Sequence, residues 1–159
     1  MTVVVGVDGA GRCLTAIRLA AQEASCRDAP LIAVMAYSGE RALGAPAARP
    51  VASLRTDGDH RIFAESALRD AVRDALGAQA DGVELRTVQG PAGRKVVETA
   101  SQAGADLIVL ACRAGVSMLP GTVGQYVLRR APCPVLTVPD GWRSPAVGGP
   151  LTQEGRARG

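Results

Sequence analysis

Residues 2–8 read TVVVGVD and residues 106–111 read DLIVLA, two short, almost continuously apolar runs in a chain of 159 residues. Runs of this length, rich in β-branched side chains and without polar alternation, are the pattern of strands covered on both faces of a parallel sheet. Three further stretches fit the same sheet. Leu31 to Tyr37 (LIAVMAY) reads as a buried strand, Val83 to Val88 (VELRTV) alternates as a strand, and Pro134 to Val138 (PVLTV) closes the series.

Helical spacing fills the gaps. Cys13 to Cys26 places Leu14, Ile17, Ala21 and Ala24 on one face. Asp57 to Ala80 carries Ile62, Phe63, Leu68, Val72 and Leu76 at helical intervals. Ala92 to Ala103 carries Val96, Val97 and Ala100 and stops near Gly104, and Thr122 to Arg130 makes a short fourth helix. Residues 38–56, rich in Ala, Pro, Gly and Arg, read as a long irregular loop. The order βαβαβαβαβ requires right-handed crossovers, hence an α/β three-layer sandwich with a five-stranded parallel sheet. Ligands of such sheets bind beyond the carboxyl ends of the strands, where strand order reverses. That edge carries Asp8 to Gly11, Tyr37 to Gly39 and Ala111 to Thr122.

Composition limits the function classes. The length suits one domain, expected over residues 1–138. Only four residues are aromatic, so the core must be built from Val, Leu, Ile and Ala. Eighteen basic against fifteen acidic residues are scattered without a basic run, so no nucleic-acid partner is expected. No apolar run approaches the ~20 residues that span a bilayer, and the chain starts directly on strand-like sequence, so no membrane partner and a cytoplasmic location are expected. Residues 139–159 hold little to bury apart from Trp142 and read as a disordered tail.

Over residues 3–138 the chain resembles the universal stress proteins. The segments VVVGVDG, VQGPAGRKVVETASQAGADLIVLACR and GTVGQYVLRRAPCPVLTVP carry the resemblance together. It implies a flavodoxin-like, Rossmann-like strand order of the adenine nucleotide α-hydrolase type and a homodimer paired through residues 134–138. In many members it also implies ATP in the switch-point crevice. By the same resemblance Asp8 matches the acidic residue that touches adenosine, and Ala36 the strand residue lining the adenine side.

The phosphate side departs from the family pattern. Members that bind ATP carry Gly, two residues, Gly, nine residues, then Gly followed by Ser or Thr at the end of the fourth strand. Glycine lets backbone N–H groups approach phosphate, and the last pair opens a helix whose N-terminus attracts anions. This chain keeps Gly121-Thr122 but has Ala111 and Ala114 for the first two glycines, with six residues before Gly121 instead of nine. An alanine held at positive φ costs ~1–2 kcal/mol, and its methyl crowds a phosphate. Gly115 offers a replacement by a register shift. Weak or absent ATP binding is therefore the expectation. Asp8 also reads as a turn or helix-capping residue, and Gly121-Thr122 as a plain helix start.

Neither a nucleophile elbow nor metal-ligand spacing stands out, so no enzyme chemistry and no metal are expected. Among the four cysteines, Cys13 and Cys26 lie roughly 20 Å apart along one helix at 1.5 Å per residue. Cys13 and Cys112 share the carboxyl edge, and Cys13 sits in a first helical turn, where a thiolate is favoured, but the main expectation for these thiols is small apolar filler, since free Cys packs as a small hydrophobe. The leading reading is a dimeric stress-response protein that binds adenine nucleotides weakly or acts through an unknown protein partner. The alternatives are a nucleotide-binding enzyme of the same superfamily and a thiol redox switch using Cys13 and Cys112.

Overall fold

Val3, Val4 and Val5 have no solvent exposure at all, because β1 (Val3–Gly6) runs through the centre of the sheet. The computed structural model describes residues 1–9, 11, 13–37, 57–112 and 121–143. Its further strands are β2 (Leu31–Tyr37), β3 (Val83–Gln89), β4 (Leu107–Cys112) and β5 (Val135–Pro139). The helices are α1 (Leu14–Cys26), α2 (Asp57–Leu76), α3 (Ala92–Gln102) and α4 (Thr122–Arg130), with a short 3-10 segment, Gly77–Gly82, after α2.

All four strand pairings are parallel, and the strand order is β3-β2-β1-β4-β5. The expected five-stranded α/β sandwich is therefore present. Alternation along each strand divides the core in two. Val3, Val5, Leu31, Ala33, Leu107 and Val109 pack with Ile17 and Ala20 of α1 and Leu68 and Val72 of α2. Val4, Ile32, Val34, Ile108 and Leu110 pack on the other face with Val96 and Ala100 of α3 and Val127 of α4.

Two helix faces differ from the sequence expectation. In α1 the buried residues are Ala16, Ile17, Ala20 and Ala24, so the stripe is turned slightly from the expected one. In α2, Ile62 and Phe63 are 62% and 59% exposed, while Ala64, Leu68 and Val72 are buried. Ala64 takes the inward place beside Ile62 and Phe63, where its small side chain lets the helix lie close on the sheet. Gly93 serves the same end between α3 and α4, since a Cβ there would stand 3.0 Å from Tyr126 Cβ.

The chain after Val138 is more ordered than expected for its first residues. Pro139 ends β5, and the Asp140 N–H donates to the Cys112 carbonyl at 2.8 Å. Trp142 and Arg143 line a groove of about 240 Å³ with Thr15, Arg18, Leu19 and Gln22 of α1. Residues 144–159 and the loop 38–56 lie outside the described residues.

Candidate functional site

The strand order reverses between β1 and β4. Helix α1 leaves the carboxyl end of β1 on one face of the sheet, and α4 follows the carboxyl end of β4 on the other. The crevice between these two strand ends is where doubly wound sheets hold their ligands.

On the β1 side, Val7 is buried and its N–H donates to the Val34 carbonyl at 2.8 Å, which extends the strand's fixed backbone to the residue before Asp8. Asp8 itself is exposed. Cys13 stands at the N-cap of α1, is 1% exposed, and makes no side-chain bond to the helix. Its sulfur turns back to Asp8 instead. The Asp8 N–H donates to Sγ at 3.2 Å, and Sγ lies 3.0 Å from Asp8 Oδ1 and 3.2 Å from the Asp8 carbonyl. Asp8 is thus not the capping residue of α1.

These contacts favour the small buried hydrophobe over the thiolate as the reading of Cys13. Burial comes first, and the hydrogen bond to the Asp8 carboxylate second, in pushing the Cys13 thiol up to about 12. A helix N-terminus does lower a thiol's pKa when solvent reaches it, but here removal from water and a neighbouring carboxylate outweigh it. Cys13 stays protonated at neutral pH, so it does not supply the thiolate of a redox switch. All four cysteines are free thiols, with Cys112 and Cys133 half-buried and Cys26 exposed.

Ala36 is half-buried in the last turn of β2, opposite Val88 of β3. Ala111 is half-buried near the end of β4, opposite Val138 of β5. Ala111 continues the strand in extended geometry, and the only non-glycine residue at positive φ among the described residues is Asp28. The expected backbone strain at Ala111 is absent, leaving its methyl group as the difference from glycine. Ala114 and Gly115 lie outside the described residues.

Gly121 is the N-cap of α4, with φ −57° and ψ 176°, and its carbonyl accepts the Gln125 N–H at 2.9 Å. That backbone suits any residue, and no atom lies within 4 Å of where a Cβ would stand. No side chain caps the helix, and Thr122 is exposed. Among the described residues no side chain accepts from the leading N–H groups of α4. The structure brings Asp8, Ala36 and Ala111 to one edge of the sheet, with α4 entering after β4. Among the described residues no group of three His, Cys, Asp or Glu side chains is placed to hold a metal. No described helix is long and apolar enough to cross a membrane.

The sequence model of the Universal stress protein family matches residues 1–139. The chain belongs to the universal stress protein family. It is similar to a universal stress protein of Mycobacterium tuberculosis, 31% identical over 142 residues. That match covers 87% of this chain and 47% of the relative, so the chain spans about half the length of the curated relatives it matches. Among solved structures, a universal stress protein in complex with cAMP is 33% identical with a TM-score of 0.63, covering 88% of this chain and 97% of its own. A universal stress protein of Archaeoglobus fulgidus in complex with dAMP shares the fold at 22% identity and a TM-score of 0.51, covering 86% of this chain and 96% of its own. Cys13 was read in sequence only as filler or a reactive thiol; its link to Asp8 needed the turn geometry between β1 and α1.

Proposed function

We propose that this universal stress protein domain is a non-enzymatic stress-response module whose switch-point crevice takes the adenosine part of a nucleotide and holds phosphate poorly. The observation that carries this reading is the meeting of Asp8, Ala36 and Ala111 at the carboxyl edge of the sheet, beside a helix N-terminus without a side-chain cap. The cAMP complex of a relative at 33% identity supports the adenosine part. The alanines at 111 and 114 and the short spacing to Gly121 support the loss on the phosphate side. Gly121 and Thr122 would still present N–H groups to an anion.

Catalysis finds little support. Among the described residues Asp8 is the carboxylate at this edge with the reach of a general base, and its Oδ1 already accepts from Cys13. Assembly belongs to the same proposal. β5 is an edge strand, and Val123 and Leu128 of the neighbouring α4 are exposed. An unpaired apolar edge of this kind is a liability unless covered, and a second copy pairing through residues 134–138 would cover it. An unidentified protein partner would then read the nucleotide state of the dimer.

Mass spectrometry of the acid-released supernatant of purified protein tests the pocket. Absence of stoichiometric ATP is expected; a stoichiometric ATP peak would contradict the weakened phosphate side. Light scattering tests the assembly: a dimer is expected, loosened by Leu136→Lys, and a monomer at high micromolar concentration would refute it.

A further inference from the structure

Trp142 is the only tryptophan of the chain, and a turn after β5 sets its place. The Asp140 N–H donates to the Cys112 carbonyl at 2.8 Å, and the Trp142 N–H donates to the Pro139 carbonyl at 3.0 Å. Between them Gly141 holds φ 77°. A turn bonded from its fourth N–H to its first carbonyl, with positive φ at the third residue, takes glycine there because a Cβ would be strained. The turn brings the indole to α1, where it shares a groove of about 240 Å³ with Thr15, Arg18, Leu19, Gln22 and Arg143. Those α1 positions form a stripe separate from the one that the helix buries on the sheet.

Charge in this groove is one-sided. Arg18 and Arg143 both line it, and no lining residue is acidic. Among the described residues neither guanidinium has a carboxylate at ion-pair distance. Arg18 is oriented all the same, since its Nε–H donates to the Ala75 carbonyl at 3.1 Å. That bond leaves its two terminal NH2 groups for another acceptor, and a guanidinium held in one orientation suits a carboxylate, which takes two parallel N–H bonds. Trp142 is 36% exposed, so part of the indole stays open beside these charges. An indole face pairs with a flat ring, and Leu19 and the arginine stems add apolar wall.

We propose that the groove between α1 and the turn after β5 binds a small planar carboxylate, its ring against the Trp142 indole and its charge held by Arg18 and Arg143. Size narrows the class. A volume of about 240 Å³ falls below the roughly 300–1,000 Å³ of sites for larger ligands, so it admits a ring with one carboxylate and excludes a whole nucleotide. The site is separate from the switch-point crevice and stands or falls without the adenosine reading given under Proposed function.

The single tryptophan makes the site its own reporter, because the full chain shows one indole N–H resonance by NMR. Titration with 2-naphthoate should move that resonance saturably, with half-saturation at about 1 mM or below, as for a ligand of this size. The neutral 2-naphthamide keeps the rings and loses the charge, and should bind about tenfold more weakly. Arg18→Gln and Arg143→Gln should each weaken naphthoate roughly three- to tenfold and leave the amide unaffected. Both arginines are exposed, so the variants should keep the fold. Absence of a saturable shift in the unmodified protein would overturn the proposal, and that result needs no variant. Equal binding of acid and amide, or undiminished naphthoate binding in both variants, would overturn it as well. An indole shift that follows protein concentration before any naphthoate is added would assign the groove to a second copy of the chain and would likewise overturn it.

Discussion

The two sides of the crevice are built differently. At the end of β1, Asp8 is tied by three contacts to a buried sulfur and follows Val7, whose N–H is bonded to β2. At the end of β4, Ala111 runs on in strand geometry, and Gly121 starts α4. The β1 side has hydrogen bonding arranged around the exposed carboxylate of Asp8. The β4 side retains a helix N-terminus but lacks the glycines that would let a backbone close around phosphate. On the proposed reading, one half of a nucleotide site persists while the other changes, because the halves hang from different strands of a shared sheet.

Repairing the β4 side should produce the largest effect. Ala111→Gly and Ala114→Gly with three residues inserted before Gly121 should raise the affinity for ATP relative to adenosine by about tenfold or more, since one N–H bond to a charged group contributes about 1.5–3 kcal/mol. Calorimetry on the repaired chain checks this, and an unchanged ratio would mean that the loop is not what limits phosphate binding. Gly6 is the point where the sides meet. A Cβ there would stand 2.7 Å from Leu110 Cδ2 and 3.3 Å from Val96 Cγ2, all within the buried α3 face. Gly6→Ala should therefore cost about 1–3 kcal/mol in denaturant unfolding through overpacking; no loss would show that the strands separate easily.

The β1 side has a pH signature of its own. Cys13 titrates at about 12 when folded against 9.0 as its ordinary value. A group raised in this way contributes stability that is fully present below pH 9 and is lost as pH rises through 9 toward 12. The difference in unfolding free energy between the unmodified protein and Cys13→Ala should shrink between pH 9 and 10 by about 1 kcal/mol. A constant difference would mean that the thiol is not buried beside Asp8. Timed alkylation at pH 8 should modify exposed Cys26 first and Cys13 last.

The smallest effect concerns the support of β4 from behind. Ending the chain after Pro139 removes the Asp140 N–H bond to Cys112 and the contact of Trp142 with α1. Trp142 is 36% exposed, so the loss should stay near or below about 1 kcal/mol. A chain ending after Arg143 should match the full one in thermal unfolding; a lower midpoint would assign packing to residues further on.

Much of this arrangement was legible in the sequence. The continuous apolar runs marked the strands, because a strand buried on both faces has no polar face to alternate with. Gly104 marked the end of α3, and it does adopt φ 59° just past the helix. Two readings failed for one shared reason, that sequence spacing is blind to what lies opposite. Ile62 and Phe63 read as core by period and size, yet the sheet accepts the stripe of Ala64, Leu68 and Val72 beside them. Ala111 read as strained by analogy with a glycine, yet β5 keeps it in register as plain strand. Cys13 read as a small buried hydrophobe with a thiolate as the alternative, and its burial in the core favours the first. Residues 113–120, which carry Ala114 and Gly115, lie outside the described residues, so the contrast between the two sides rests there on spacing and residue type.

The contrast is tested most directly by titrating the unmodified chain with adenosine and with ATP in parallel in a calorimeter. If the β1 side binds and the β4 side does not, ATP should bind no more tightly than adenosine, the triphosphate adding nothing. Tight ATP binding that depends on the phosphates would contradict this, and would mean that Gly115, the shorter loop and the α4 N-terminus already form a working phosphate nest.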